Sequence, residues 1–292
     1  MISSVPIATI QNMLQETFHR SNWVISRPLY GQQKECYIAK TDALTVFLKF
    51  DNGCSLEVLQ RLADLGVAPR ILSTGNIEGR RYILQEYLTG QHPGWRWFAD
   101  HLPLLAQVTR RYHTDHQLKQ LLAGPTPVEY REQIESELTQ LELQMTSLKL
   151  DTKLTATLDT VFAELKQQAS QLHPIPLAPV HNDPNGANIF LTGDSLVLVD
   201  WDEILLSDPM RDASQWLGWY VPQDRWSVFA KDHGFHLDQS LHSRIFWWSA
   251  RASFANVLWH IAHNYDYEVF LHDCIAALQR TIVPHRVFRD DT

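Results

Sequence analysis

Hydrophobic and polar positions follow two different periods in the first part of the chain, which predicts a mixture of helices and strands. Residues 7–20 and 56–65 repeat apolar side chains with helical spacing, and Gly66 is typical of a residue that ends a helix. Short apolar runs bounded by polar turns predict strands in the same part. The predicted strands are 23–25, 36–39, 44–50, 70–74 and 82–88.

From about residue 89 onward, helical spacing dominates the pattern. Helices are predicted at 102–113, 128–149 and 153–172, and again within 209–283. Three prolines between 174 and 179 interrupt the helical pattern and lead into a short polar loop. The chain therefore belongs to the α+β class, with its strands concentrated near the N-terminus.

Length and composition indicate a globular protein with a substantial core, since the chain has 292 residues of which 45% are hydrophobic. No apolar run approaches the ~20 residues of a membrane span, and the N-terminal segment lacks the pattern of a secretory signal. Its three cysteines are odd in number and widely spaced, which argues against a disulfide framework. We therefore expect a cytoplasmic protein without a membrane partner.

The formal net charge of −8 argues against a nucleic-acid-binding surface, because such surfaces need clustered basic side chains. An acidic balance is compatible with a cationic ligand. It is also common among proteins that bind no cation, so the charge by itself selects no substrate.

The most informative segment is 180–202, with the sequence VHNDPNGANIFLTGDSLVLVDWD. Asp183 stands five residues before Asn188 in a polar loop, and two apolar runs joined by a Gly-Asp turn then lead to Asp200. The pattern predicts a loop followed by a β-hairpin. Kinases use this set of side chains, with one Asp for the acceptor hydroxyl and an Asn and a second Asp for Mg²⁺. Each residue alone would be an ordinary turn residue.

Taken in order, His181, Asp183, Asn188 and Asp200 resemble the HxDxxxxN…[IV]D[WFY] signature of the aminoglycoside phosphotransferase and choline kinase superfamily. The resemblance implies a bilobal protein-kinase-like fold, with a small β-rich N-lobe (1–88) and a larger, mostly helical C-lobe (89–292). The predicted order of strands and helices before residue 88 independently favours such an N-lobe. The family also implies ATP and Mg²⁺ as cofactors, Asp183 as the catalytic residue, and Asn188 and Asp200 as metal ligands.

The resemblance also suggests residues that contact the nucleotide. Lys49 at the end of an apolar strand would hold the phosphates, with Glu57 on the following helix as its partner. An alternative is a strand-end lysine that simply reaches solvent. The turn at Tyr30 and Gly31 would cover the phosphates. Glu86 and Leu88 would bind the adenine through their backbone atoms.

Two residues are expected to support the catalytic loop. His181 would hold the loop by hydrogen bonds, and Asp212 would cap a helix. Asn182 occupies a position where the aminoglycoside enzymes most often have glycine, and the resulting His-Asn-Asp resembles choline and ethanolamine kinases.

Asp202 or the neighbouring Glu203 would contact a substrate cation or face water. Trp216 and Trp247 are candidate substrate aromatics, since an aromatic box attracts cations. Core packing explains tryptophans in a helical lobe equally well.

The sequence therefore predicts ATP- and Mg²⁺-dependent phosphorylation of a hydroxyl group on a small, cationic molecule. Choline-like amino alcohols and aminoglycosides both remain open as acceptors, as do thiamine, sugars and homoserine-like alcohols. An alternative from a different class is a non-catalytic, ATP-binding module that regulates a protein partner.

Overall fold

The computed structural model of the protein describes residues 4–28, 35–50, 53–193 and 195–282. These residues form two compact units, which we call the sheet unit and the helical unit. The sheet unit comprises the chain up to Gln91 together with Phe190–Asp202, and the helical unit comprises His92–Ile189 and the chain from Glu203 onward.

The predicted strands and helices are present, with ends that shift by a few residues. The strands are β1 (Val24–Ser26), β2 (Cys36–Lys40), β3 (Thr45–Phe50), β4 (Ile71–Ile77), β5 (Arg80–Glu86), β6 (Ala178–Val180), β7 (Ile189–Thr192), β8 (Ser195–Leu198) and β9 (Leu205–Ser207). The helices are α1 (Ile7–Phe18), α2 (Leu56–Asp64), α3 (Trp95–Asp100), α4 (Leu102–His113), α5 (His116–Leu122), α6 (Tyr130–Ser147), α7 (Thr152–Ala169), α8 (Met210–Trp219), α9 (Trp226–His233), α10 (Gln239–Ala262) and α11 (Glu268–Leu278). The α+β class is therefore confirmed.

The sheet unit contains an antiparallel five-stranded sheet in the order β1-β2-β3-β5-β4. Side chains of β3 alternate in burial, so that Val46, Leu48 and Phe50 enter the core shared with α1. Because successive side chains of a strand point to opposite faces, Lys49 lies on the other face of the sheet. The alternation therefore separates the charged side chain from the apolar core.

Helix α2 begins and ends as its sequence predicts. The side chain of Ser55 accepts a hydrogen bond from the backbone N–H of Val58 at 3.2 Å, which is the usual N-cap interaction. After the last turn, Gly66 has a φ of 69° and Val67 donates to the carbonyl of Leu62 at 3.1 Å. This is the Schellman arrangement, which requires a left-handed residue and so favours glycine.

The sheet unit includes a second stretch of the chain, which differs from the single boundary expected after Leu88. Strands β7 and β8 form a hairpin, and the backbone of Leu191 pairs with that of Gln91. Leu198 of β8 also donates to the carbonyl of Val67 at 2.9 Å. These backbone hydrogen bonds join residues far apart in sequence, so no local pattern could have shown them.

The helical unit is built around α10, a 24-residue helix that packs against α7, α8 and α11. The two short strands β6 and β9 pair antiparallel within this unit. In the described residues, no helix has both the length and the apolar character needed to cross a membrane.

Candidate functional site

The loop after β6 holds the carboxylate of Asp183 by amide groups from its own residues. Asn188 donates from Nδ2 to the Asp183 carbonyl at 2.8 Å and to Oδ2 at 3.1 Å, while Asn185 donates to Oδ1 at 2.8 Å. Asp183 itself is exposed. Because both contacts from Asn188 use its amide nitrogen, they leave its amide oxygen uncommitted. The loop therefore presents one oriented carboxylate and one neutral oxygen donor.

Asp212, on the first turn of α8, binds the backbone of this loop. Its completely buried carboxylate accepts hydrogen bonds from the backbone N–H of His181 at 2.7 Å and of Asn182 at 2.9 Å. Tyr112 and His113 contact the same carboxylate at 2.9 and 3.2 Å. Burial raises the pKa of Asp212, but the interactions with His113 and His181 outweigh it and bring the pKa below its ordinary value. Asp212 is therefore a buried carboxylate with hydrogen-bond donors on both oxygens.

His181 lies inside the helical unit, where its ring nitrogen Nδ1 accepts a hydrogen bond from the backbone N–H of Asp183 at 3.3 Å. The side chain is fully buried. These contacts fit the support of the loop that we propose for His181 and Asp212. The expected helix cap is not made by Asp212, because the N–H of Met210 at the start of α8 donates to Asp208 at 2.9 Å.

Asn182 has a left-handed backbone, with a φ of 79°, and all four of its polar groups are held. Its N–H donates to Asp212, and its carbonyl accepts from Gln215 at 3.0 Å. Its side chain accepts from Nε of Arg211 and donates to Glu203 at 2.9 Å. Glycine and asparagine tolerate positive φ best, so asparagine suits the backbone at this position. Four separate groups thus set the residue before Asp183.

We expect Asn182→Ala to destabilise the fold more than Asn182→Gly, by about 1 kcal/mol in the free energy of unfolding. Both variants lose the two side-chain hydrogen bonds, whereas alanine also meets the steric cost of the left-handed conformation. Urea unfolding of the two variants beside the wild type measures this difference. Equal losses in the free energy of unfolding would show that residue 182 can adopt another backbone conformation at no energetic cost.

Arg211, which contacts Asn182, belongs to an ion-pair cluster with Glu137 and Arg251. The carboxylate of Glu137 pairs through Oε1 with Arg211 and through Oε2 with Arg251, the latter at 2.5 Å. Burial raises the pKa of Glu137, but the two guanidinium groups bring it below its ordinary value. One carboxylate therefore serves two arginines, and the cluster carries a net charge of +1.

In the sheet unit, Lys49 pairs with Asp202 and not with Glu57. Nζ of Lys49 lies 2.5 Å from Oδ1 of Asp202, and the two side chains are only 13% and 6% exposed. Glu57 is exposed on the first turn of α2, and the ion pairs of the described residues do not join it to Lys49. The expected Lys49–Glu57 pair is thus replaced by a contact 153 residues apart in sequence. With its side chain nearly buried against Lys49, Asp202 is not the solvent-facing carboxylate of one sequence alternative, and this pairing also argues against the contact with a substrate cation that the other expected.

Removal of the Asp202 charge should be costly because it leaves a nearly buried lysine without its carboxylate. We expect Asp202→Asn to lower the free energy of unfolding by about 3 kcal/mol. Glu57→Gln, the matched control, should change it by less than about 0.5 kcal/mol, as exposed substitutions usually do. Chemical unfolding of both variants tests the assignment. A larger loss for Glu57→Gln would restore the helix glutamate as the partner of Lys49.

Asp200 lies between the hairpin and a buried tryptophan. It is exposed and has a φ of 65°, a conformation that aspartate tolerates better than most residues. The next residue, Trp201, is buried and donates from its indole to the carbonyl of Leu198 at 2.9 Å. The exposed residue Asp200 therefore stands next to a buried and hydrogen-bonded tryptophan.

Two other predicted nucleotide contacts, Glu86 and Leu88, lie at the end of β5 and just after it. Glu86 ends β5, where its carboxylate binds Arg70 and its N–H donates to the Arg70 carbonyl at 2.9 Å. Because that N–H is engaged, any adenine contact of Glu86 would use its carbonyl. Leu88 follows β5 and is half-buried. Tyr30 and Gly31 lie outside the described residues.

An open cleft of about 410 Å³ lies within the helical unit beside Asp183. Such a volume suits a small molecule. Polar side chains dominate one wall, and the C-terminal half of α10 forms another with a stripe of small and apolar residues. The polar and aromatic side chains that line the cleft include Asn182, Asp183, Glu203, Gln215, Arg251 and Trp259.

Trp216 and Trp247 do not reach this cleft, which corrects their assignment as substrate aromatics. Both are fully buried, and their indole N–H groups donate to the carbonyls of Pro184 at 2.5 Å and Leu165 at 3.0 Å. A side chain without exposed surface cannot contact a substrate. The core-packing alternative therefore describes these two tryptophans.

Trp259 is the aromatic residue that lines the cleft, and it is 44% exposed. Its ring stacks on His263 with a centroid distance of 4.2 Å. Arg251, Ala255, Leu258, Trp259 and Ala262 recur at helical spacing on α10 and all line the cleft. The sequence shows this helical spacing, but it does not show which face of α10 borders a cleft.

The family model described as "Phosphotransferase enzyme family" matches residues 54–247 of the chain. Solved structures show a similar fold over nearly the whole chain. A spectinomycin phosphotransferase, APH(9)-Ia, in complex with ADP and spectinomycin is 12% identical with a TM-score of 0.66, over 97% of this chain and 96% of that chain. A choline/ethanolamine kinase family protein from Mesorhizobium loti is 15% identical with a TM-score of 0.65, over 90% and 89%.

A third solved structure is a thermostable mutant of aminoglycoside phosphotransferase APH(4)-Ia in a ternary complex with AMP-PNP and hygromycin B. It is 16% identical with a TM-score of 0.65, over 93% of this chain and 98% of that chain. At such low identity the likeness shows the fold alone. It confirms the predicted kinase-like architecture, with a small β-rich N-lobe and a larger helical C-lobe.

Proposed function

Because the chain belongs to the phosphotransferase enzyme family, we propose that it transfers a phosphoryl group from ATP to a hydroxyl of a small, cationic molecule. The observation that carries this proposal is the Asp183 carboxylate, which is oriented by Asn185 and Asn188 and borders a cleft of small-molecule size. A base in that position accepts the proton of a hydroxyl bound in the cleft.

Asp183 acts by orienting and deprotonating the acceptor hydroxyl. Its two oxygens are already held by amide N–H groups, so little reorganisation is needed when an acceptor arrives. The contacts of Asp212 with the backbone of His181 and Asn182 keep the carboxylate aimed at the cleft. Most of the rate in phosphoryl transfer comes from such positioning and from charge stabilisation, with little covalent chemistry by the protein.

Mg²⁺ would neutralise the charge that develops on the phosphates. Its preferred ligands are hard oxygens, with only one or two protein carboxylates. The amide oxygen of Asn188 and the exposed carboxylate of Asp200 match that donor set, and we propose them as ligands. Lys49, held by Asp202, would bind the phosphates of ATP. Glu86 and Leu88 stay as proposed backbone contacts for adenine.

The cationic character of the acceptor is supported by the cleft itself. Glu203 is exposed on its wall, and Trp259 offers an aromatic face that attracts cations. Neither feature chooses between an amino alcohol and an amino sugar.

A coupled ADP-release assay with Mg²⁺-ATP tests the proposal across choline, ethanolamine, thiamine, aminoglycosides, hydroxy amino acids and simple sugars. Asp183→Asn serves as the blank. A rate that depends on the acceptor and is lost in the blank is the expected result. Tight binding of Mg²⁺-ATP with no turnover on any acceptor would instead favour a non-catalytic, ATP-binding module.

A further inference from the structure

Among the described residues that line the cleft, Arg251 is the cationic side chain, and part of its hydrogen-bonding capacity is unused. Within the described residues, its ion pair is the single contact between Nη2 and Oε2 of Glu137 at 2.5 Å. Its Nε is buried without a hydrogen-bond partner. A guanidinium carries five N–H donors, and leaving buried donors unsatisfied is costly. Arg251, which lines the cleft, therefore has donor capacity that no acceptor satisfies.

Glu137 does not neutralise Arg251, because it is shared with Arg211. Arg211 binds Oε1 of the same carboxylate and is itself directed at Asn182. Burial and the nearby Arg211 charge lower the pKa of Arg251 to about 10, although Glu137 and Glu203 oppose this shift. The positive charge is thus incompletely compensated, and an anion in the cleft would stabilise it.

Three different chemical functions consequently border one cleft of about 410 Å³. Asp183 is placed for a hydroxyl group, and Glu203 offers an exposed carboxylate for a cation. Arg251 offers a guanidinium charge that its single ion pair compensates only in part, and a carboxylate is a small anion that such a charge binds well.

We propose that Arg251 forms an anion subsite and that the phosphoacceptor is a small zwitterion, a hydroxy amino acid. In this arrangement its carboxylate binds Arg251, its ammonium group faces Glu203 and its hydroxyl faces Asp183. The inference rests on the proposed function, which it narrows from cationic acceptors in general to those that also carry a carboxylate.

Sets of matched acceptors, which differ in their ammonium and carboxylate groups, measure the contribution of each charge. Homoserine carries hydroxyl, ammonium and carboxylate; 3-aminopropan-1-ol lacks the carboxylate, and 4-hydroxybutyrate lacks the ammonium group. Serine, ethanolamine and 3-hydroxypropionate form a shorter set of the same kind. Turnover with Mg²⁺-ATP and calorimetric binding in the presence of Mg²⁺-ADP are measured for each. We expect the preferred zwitterion to exceed both of its partners by about 10- to 100-fold, the size of one hydrogen-bonded charge contact.

Variants of Arg251 test whether this residue causes the preference for zwitterions over amino alcohols. Arg251→Met should bring the ratio of zwitterion to amino alcohol close to one, whereas Arg251→Lys should retain part of it because the positive charge remains on a different donor geometry. Glu137 keeps Arg211 as its partner in both variants, and thermal unfolding verifies the fold. Arg225→Met, an exposed arginine that does not line the cleft, is the control and should keep the full ratio.

The outcomes are distinguishable. Equal use of amino alcohols and hydroxy amino acids, or an unchanged ratio in Arg251→Met, would overturn the zwitterion inference and leave the kinase proposal intact. If no acceptor is phosphorylated, the kinase proposal fails, and binding still decides the subsite. No preferential binding of any zwitterion would overturn the subsite as well.

Discussion

Asp183→Asn is expected to lower kcat by about 10²- to 10⁴-fold, the usual contribution of a general base. Asparagine has nearly the same shape as aspartate, but it neither accepts a proton at neutral pH nor carries a negative charge. It also places an amide nitrogen against one of the donors of Asn185 or Asn188, so one hydrogen bond within the loop is lost. The KM for ATP should change little, because Asp183 acts on the acceptor.

Steady-state kinetics with the best acceptor from the panel measure this effect. Asp159→Asn, an exposed aspartate on α7, makes the same chemical change away from the cleft and should retain full activity. The fold of both variants is verified by thermal unfolding. Turnover of Asp183→Asn within tenfold of the wild type would remove Asp183 from the role of base.

Asp200→Asn should lower kcat by about 10²- to 10³-fold, which is typical when one preorganised charge-stabilising group is lost. It should also raise the Mg²⁺ concentration needed for half-maximal rate, since a neutral amide is a weaker ligand for a hard cation than a carboxylate. Asparagine tolerates the φ of 65° at this position, so the change removes charge without forcing the backbone to move.

The rate as a function of Mg²⁺ concentration separates a metal defect from a folding defect. Asp42→Asn, in the exposed turn before β3, is the control within the same unit and should follow the wild-type curve. If Asp200→Asn lost activity with an unchanged Mg²⁺ dependence, the carboxylate would serve another purpose than metal binding.

Local features of the sheet unit were predictable because each depends on residues close in sequence. The alternation in β3 determined that Val46 and Leu48 are buried while Lys49 is on the opposite face. The turn between β4 and β5 has positive φ at both Glu78 and Gly79, as expected for a two-residue hairpin turn. The helix-ending role of Gly66 likewise follows from its own backbone freedom.

Contacts between distant residues were not predictable in the same way. The sequence indicated Glu57, eight residues away, as the partner of Lys49, whereas the structure pairs Lys49 with Asp202. The four contacts that hold Asn182 come from side chains at 203, 211, 212 and 215, all remote from the loop in the chain.

The order of the elements and the motif 180–202 could be recognised from the chain alone, because periodicity and residue type act locally. Only the packed structure shows that Trp216 and Trp247 are core residues whereas Trp259 lines the cleft, and that Arg251 borders it. Helical spacing shows that a helix has an apolar face, but it does not show what packs there. Packing therefore determines which side chains remain accessible to a substrate.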